Sequence, residues 1–154
     1  MIQRIQTLYL VIIVALLAVM LFVPLAWFAN EAGTFNLYAF SLQSADGAVA
    51  QSTVYLGILL ILALILPLVT IFLYRRRLLQ IRLCVVEMVL LLGTIVMEVI
   101  YYFLSRRVFS ELALHHQGFK PAIALPVVAL LFAFLAARAI FRDEMLVRSA
   151  DRIR

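Results

Sequence analysis

LCVVEMVLLLGTIVMEVIYYFL, residues 83–104, decides how the rest of the chain is read. Its only charged side chains are Glu87 and Glu98. As a helix rising 1.5 Å per residue it is long enough to cross the ~30 Å hydrocarbon layer of a bilayer. Glu87 and Glu98 are eleven residues apart, nearly three whole helical turns, so both carboxylates share one face, about 16 Å apart along the axis. Thr94 lies between them on roughly that face, and Tyr101, Tyr102 and Ser105 extend it. Such a helix turns its single polar stripe toward protein and its remaining surface toward lipid.

Three further apolar runs of the same kind flank this one, giving expected spans at 8–28, 53–74, 83–104 and 121–141. The whole chain of 154 residues is 67% hydrophobic and 14% charged, with a mean hydropathy of +1.14. A soluble domain holds roughly 45–50% apolar and about 25% charged residues. That difference excludes a soluble enzyme, a disordered regulator and a disulfide scaffold. The one cysteine, Cys84, also excludes thiol chemistry that needs a cysteine pair. The first run is too long for the apolar core of a signal peptide, and Trp27-Phe28 stands where small residues precede a cleavage site.

Charge sets the orientation. Arg4, Arg75, Arg76, Arg77, Arg82, Arg138, Arg142, Arg148, Arg152 and Arg154 lie on one side, against Arg106, Arg107 and Lys120 on the other. Basic loops stay in the cytoplasm, so both termini are expected there. The net charge of +5 sits at span ends and is read as topology, not as a nucleic-acid surface. Tyr9, Trp27, Tyr55, Tyr74, Tyr101 and Tyr102 fall at span ends, where amphipathic rings favour the headgroup layer. The expected fold is an all-α membrane protein, a four-transmembrane-helix antiparallel bundle forming a single domain over residues 1–154, with a cytoplasmic helical tail at 142–154. The outer loop 29–52 is read as a short hairpin or an interfacial segment, from the alternation over Thr34–Phe40 and the turn-forming Asp46-Gly47. Ser110–Gln117 is read as one or two helical turns.

Few side chains inside the spans have chemistry to offer. Glu87 and Arg138 each lie about one turn inside the cytoplasmic ends of the third and fourth spans, and are expected to form a structural ion pair. Glu98 has no basic residue at its depth and is the candidate functional carboxylate, either exchanging a proton or cation or held by hydrogen bonds. Ala129, Ala133 and Ala137 make a small-residue helix-packing face. Arg75, Arg76 and Arg77 are expected to contact anionic lipid. Glu111 and His115 have helical i, i+4 spacing, but with no second cluster they read as surface residues, not as a metal site. No metal or cofactor is expected, and the absence of histidine within a span excludes a haem held between helices. Pro24, Pro67 and Pro126 are expected to kink spans.

Both ends of the chain resemble a known family. MIQRIQTLYL at residues 1–10, RAIFRDE at 138–144, and Leu146-Val147-Arg148-Ser149 followed by Asp151-Arg152-Ile153-Arg154 are similar to the opening and closing signatures of an uncharacterised four-pass membrane-protein family of Bacteroidota. The resemblance runs along the whole chain. It implies a bacterial inner-membrane protein carrying a domain of unknown function, and it supplies no catalytic residue.

With no nucleophile–base pair, metal cluster or phosphate-binding glycine loop, the expected role is non-enzymatic: an accessory or structural subunit of a larger inner-membrane complex. Its expected partners are membrane lipids and other membrane subunits or further copies of itself. The alternatives are a small proton-coupled transporter or homodimeric carrier using Glu98, and a lipid- or quinone-binding protein with a groove between kinked spans.

Overall fold

The computed structural model describes residues 3–30, 33–73, 76–110 and 116–151. Helix α1 (Gln3–Phe22) leads into strands β1 (Ala26–Asn30), β2 (Gly33–Leu37), β3 (Ser41–Ser44) and β4 (Val49–Ser52). Helices α2 (Val54–Phe72) and α3 (Arg77–Ser110) follow, then strand β5 (His116–Phe119), a 3-10 turn at Pro121–Ala124, and helix α4 (Leu125–Asp151). All four helices are long and apolar enough to cross a membrane. Each packs against two others, α1 on α2 and α4, and α3 on α2 and α4. The bundle therefore brings the start of α1 and the end of α4 to the same end.

The expectation of an all-α protein is corrected by the sheet. Five antiparallel strands in the order β4-β3-β2-β1-β5 cover the opposite end of the bundle. The correction starts at Pro24, expected to kink a span running to Phe28. Proline has no N–H to donate and disfavours helix in the residue before it. Helix α1 accordingly stops at Phe22, and Leu25 begins an extended segment. Its N–H donates to the Leu37 carbonyl at 2.7 Å and its carbonyl accepts from the Lys120 N–H at 2.9 Å. Trp27, expected in the headgroup layer at a helix end, is instead a strand residue paired with Asn36 on one side and Gly118 on the other.

The alternating stretch 34–40 supplies β2, and the turn expected at Asp46-Gly47 joins β3 to β4, with the Gly47 N–H donating to the Ser44 carbonyl at 2.9 Å. Gly47 takes φ +81° there, which glycine adopts at little steric cost. His116 and Gln117, expected at a helical turn, belong to β5.

Within the bundle every helix buries residues at alternating three- and four-residue steps, the 3.5-residue repeat of left-handed supercoiled packing. The seam of α1 is Leu10, Ile13, Leu17 and Met20, and that of α2 is Leu56, Leu60, Ala63, Pro67 and Thr70. The seam of α4 is mostly small, with Ala129, Ala133 and Ala136 fully buried. Small residues let helix backbones approach closely in lipid, where no hydrophobic force drives them together. Exposed side chains on the outside, such as Val89, Val96, Leu131 and Phe134, are apolar, as a lipid solvent requires.

Helix α3 is 34 residues long, about 51 Å, so it overshoots the hydrocarbon layer and carries Tyr102 to the sheet. The Tyr102 ring lies 5.4 Å from Phe28 of β1 and 4.4 Å from Phe119 of β5, centre to centre. With Ala26, Phe28, Leu37 and Leu42 it forms a second core beneath the sheet. The opposite edge of the sheet is tied to α2 instead. The Thr53 hydroxyl donates to the Tyr38 carbonyl at 3.0 Å, and the Thr53 N–H to the Phe40 carbonyl at 2.9 Å. The Phe40 ring occupies the space a Cβ on Gly57 would need.

Candidate functional site

The stripe read from residues 83–104 is the interior seam of α3. Cys84, Glu87, Leu91, Thr94, Glu98, Tyr101 and Ser105 are buried in one line, while Val85, Val86, Leu92, Val96 and Val99 between them are exposed. The helix is inverted relative to a soluble one, with its polar groups inside. Glu87 is 2% exposed and Glu98 3%. The Thr94 hydroxyl donates to the Leu90 carbonyl one turn back at 3.0 Å, so the residue between the two carboxylates is satisfied by its own helix.

The expected ion pair does not form. Neither oxygen of Glu87 has a hydrogen-bond partner, and Arg138 is exposed in a groove with Ile5, Tyr9 and Leu135, between α4 and α1. The two residues share a depth but not a facing direction. On α4 the interior seam passes through Ala136 and Ile140. Arg138 is two residues from each, a rotation of about 200°, which turns it away from α3.

Glu98 is placed by two contacts of α3, one with the antiparallel α4 and one with β5 just before it. Ile81 shares a groove with Phe141 and Met145, and Tyr102 stacks on Phe119. Counting between them sets Glu98, one turn before Tyr102, at the level where α4 begins. One of its carboxylate oxygens, Oε1, is buried without a hydrogen-bond partner, as are Gln6 Nε2 and Ser105 Oγ. Toward the other end of the seam Glu87 is unpartnered as well, and Gln80 is the polar side chain that is matched. Gln80 Nε2 donates to the Thr70 carbonyl at 2.9 Å, and so caps one of the last carbonyls of α2, which has no later turn to bond to.

Of the alanines singled out, Ala129 and Ala133 are fully buried on the α4 seam, and Ala137 flanks it beside the fully buried Ala136. Arg76 is exposed in the α2–α3 turn. Arg75, Glu111 and His115 lie outside the described residues, as does the Arg77 side chain. Among the described residues no group of His, Cys, Asp or Glu is placed to hold a metal ion.

Two features escaped the sequence reading. Trp27 spans the sheet surface over Gly118, where an added Cβ would come within 2.5 Å of the indole Nε1. Beside it, Asn36, Gln43 and Val49 continue one row across β2, β3 and β4. The second is the edge position of β4, where Val49 is 61% exposed. The local cues nearby were the alternation at 34–40 and the turn at Asp46-Gly47.

A family model described as a domain of unknown function (DUF4293) matches residues 2–153. The chain belongs to that family, in accord with the resemblance carried by its two ends. No curated protein sequence matches it.

Proposed function

We propose that this member of a family of unknown function is a non-enzymatic accessory subunit of a bacterial inner-membrane assembly, and that it engages its partner through the outer sheet. The observation that carries the reading is the β4 edge. Among the described residues strand β4 pairs only with β3, which leaves one row of its backbone N–H and C=O groups open to another strand. Edges of this kind are usually blunted by lysine, proline or a covering element. Residues 49–52, Val-Ala-Gln-Ser, contain neither lysine nor proline. Strand addition would give affinity through the main chain, with Val49 and Gln51 giving selectivity. The sheet is held to α2 through Thr53 and Phe40 and to α3 through Tyr102, so a partner bound at the edge is coupled to the membrane bundle.

Purification in mild detergent tests this. The expected result is a stoichiometric second protein, cross-linked by a photoreactive residue at Val49 and lost in Ala50→Pro. A homogeneous monomer or self-dimer, or capture insensitive to the β4 proline, would overturn it.

A second reading, a small proton- or cation-coupled carrier, is supported by one specific observation: two carboxylates buried inside the bundle, with both oxygens of Glu87 and Oε1 of Glu98 lacking a hydrogen-bond partner among the described residues. It requires that Glu98→Gln abolish pH-dependent transport or ligand binding, and wild-type behaviour of that variant removes it.

A further inference from the structure

We propose that the groove between α1 and α4, at the end of the bundle where α1 begins and α4 ends, binds an anionic phospholipid whose phosphate is held by Arg138 and Arg142. The groove has a volume of about 320 Å³ and is lined by Ile5, Tyr9, Leu135, Arg138, Ala139 and Arg142. Ile5, Leu135 and Ala139 give it an apolar floor. The two arginines lie one turn apart on α4, about 6 Å along the axis, a separation that lets both guanidinium groups grip one phosphate.

Charge complementarity names the occupant. Neither arginine has a hydrogen bond or ion pair among the described residues. Apart from each other, the helix positions at three and four residues' distance from them are Phe134, Leu135, Ala139, Phe141, Met145 and Leu146, with no carboxylate among them. Glu144 lines a different groove, with Leu78, Ile81 and Arg82 on the α3 side. Glu87, at a similar depth, belongs to the interior seam. Arg138 also lies within the apolar stretch Pro121–Val147. A guanidinium there that faces outward from the bundle is costly unless an anion meets it, and a lipid headgroup is the anion available at that depth.

An arginine prefers this partner for geometric reasons as well, since its planar fork donates two parallel hydrogen bonds to phosphate oxygens. Tyr9, whose ring packs 5.9 Å from Phe132, forms the α1 wall and brings a further donor. The acyl chains would then run outward along Leu135 and Ile5. This site lies on α1 and α4, away from the α2–α3 connection that carries Arg76, and does not depend on the role proposed for the sheet.

The test is native mass spectrometry of the full chain taken from vesicles of equal phosphatidylglycerol and phosphatidylcholine with matched acyl chains. Retention of phosphatidylglycerol over phosphatidylcholine by about tenfold is expected from two arginine contacts. It should be lost in the Arg138→Gln/Arg142→Gln double variant, partly kept in the double lysine variant, and unchanged in Lys120→Gln at the other end of the bundle. A circular-dichroism melt of the double variant separates loss of the site from loss of the fold. Should the double variant unfold, Arg142→Gln alone reads the same ratio. An undiminished preference in the folded glutamine variant, or equal retention of both lipids by the wild type, overturns the proposal. Protection of the wild type by inorganic phosphate equal to that by phosphatidylglycerol would reassign the site to a free anion.

Discussion

Replacing Tyr102 with alanine should detach one half of the sheet from the bundle while leaving the helices intact. The ring is 8% exposed and is the α3 contribution to the cluster under the sheet, touching Phe28 and Phe119 on two neighbouring strands. Truncating a buried aromatic residue to alanine costs about 3–5 kcal/mol. The two ring–ring contacts account for about 1–3 kcal/mol of that, at about 0.5–1.5 kcal/mol each. Taking the lower bound of about 3 kcal/mol, local opening of β1, β2 and β5 becomes roughly a hundredfold more frequent. Strands β3 and β4 keep their separate anchors, the Thr53 hydrogen bonds and the Phe40 ring over Gly57. Hydrogen–deuterium exchange in nanodiscs should therefore show faster exchange for residues 26–37 and 116–119, a smaller change at 41–52, and none in the α1 and α4 seams. Tyr102→Phe keeps the ring and should exchange like the wild type. Unchanged exchange in the alanine variant, or equal acceleration of helices and strands, would refute the division into two cores.

Three further outcomes follow from single contacts. Gly118→Val should displace the indole that lies over it, and because Trp27 is the only tryptophan the emission maximum reports the change directly as a red shift. Gln80→Leu removes the donor to the Thr70 carbonyl and should lower stability by about 1 kcal/mol, read as a lower melting midpoint in detergent. Ala133→Leu forces added methylenes into a fully buried seam position and should destabilise by about 1–3 kcal/mol, whereas Leu131→Ala on the exposed face should change the midpoint little.

The helices were legible because hydropathy over a long run is a local property, readable without knowing what packs where. The sheet was not, because its decisive strand is written in the same alphabet as the helix before it. Residues 26–30, Ala-Trp-Phe-Ala-Asn, continue the apolar run of α1 without a change in hydropathy. Only Pro24 marks the break, and in a membrane helix a proline usually means a kink. The partner of β1 on one side is β5, nearly ninety residues away in the chain, and no local pattern encodes a pairing at that range. The β3–β4 hairpin could be anticipated because its strands and its glycine turn are neighbours.

Periodicity also explains which part of the interior could be read in advance. Glu87, Thr94 and Glu98 belong to one helix, and their common face follows from spacing alone, so the buried stripe was accessible from sequence. A contact between two helices needs depth and rotation together. Depth follows from counting inward from the span ends, and it put Glu87 and Arg138 at the same level. Rotation depends on which residues of α4 form its seam, and Ala129, Ala133 and Ala136 take that place because only small side chains let the backbones come close. Once they are inside, Arg138 is committed to the opposite side of the helix. The same alanine spacing that closes the bundle therefore leaves Glu87 without its expected cation and gives the α1–α4 groove two arginines that meet no carboxylate among the described residues.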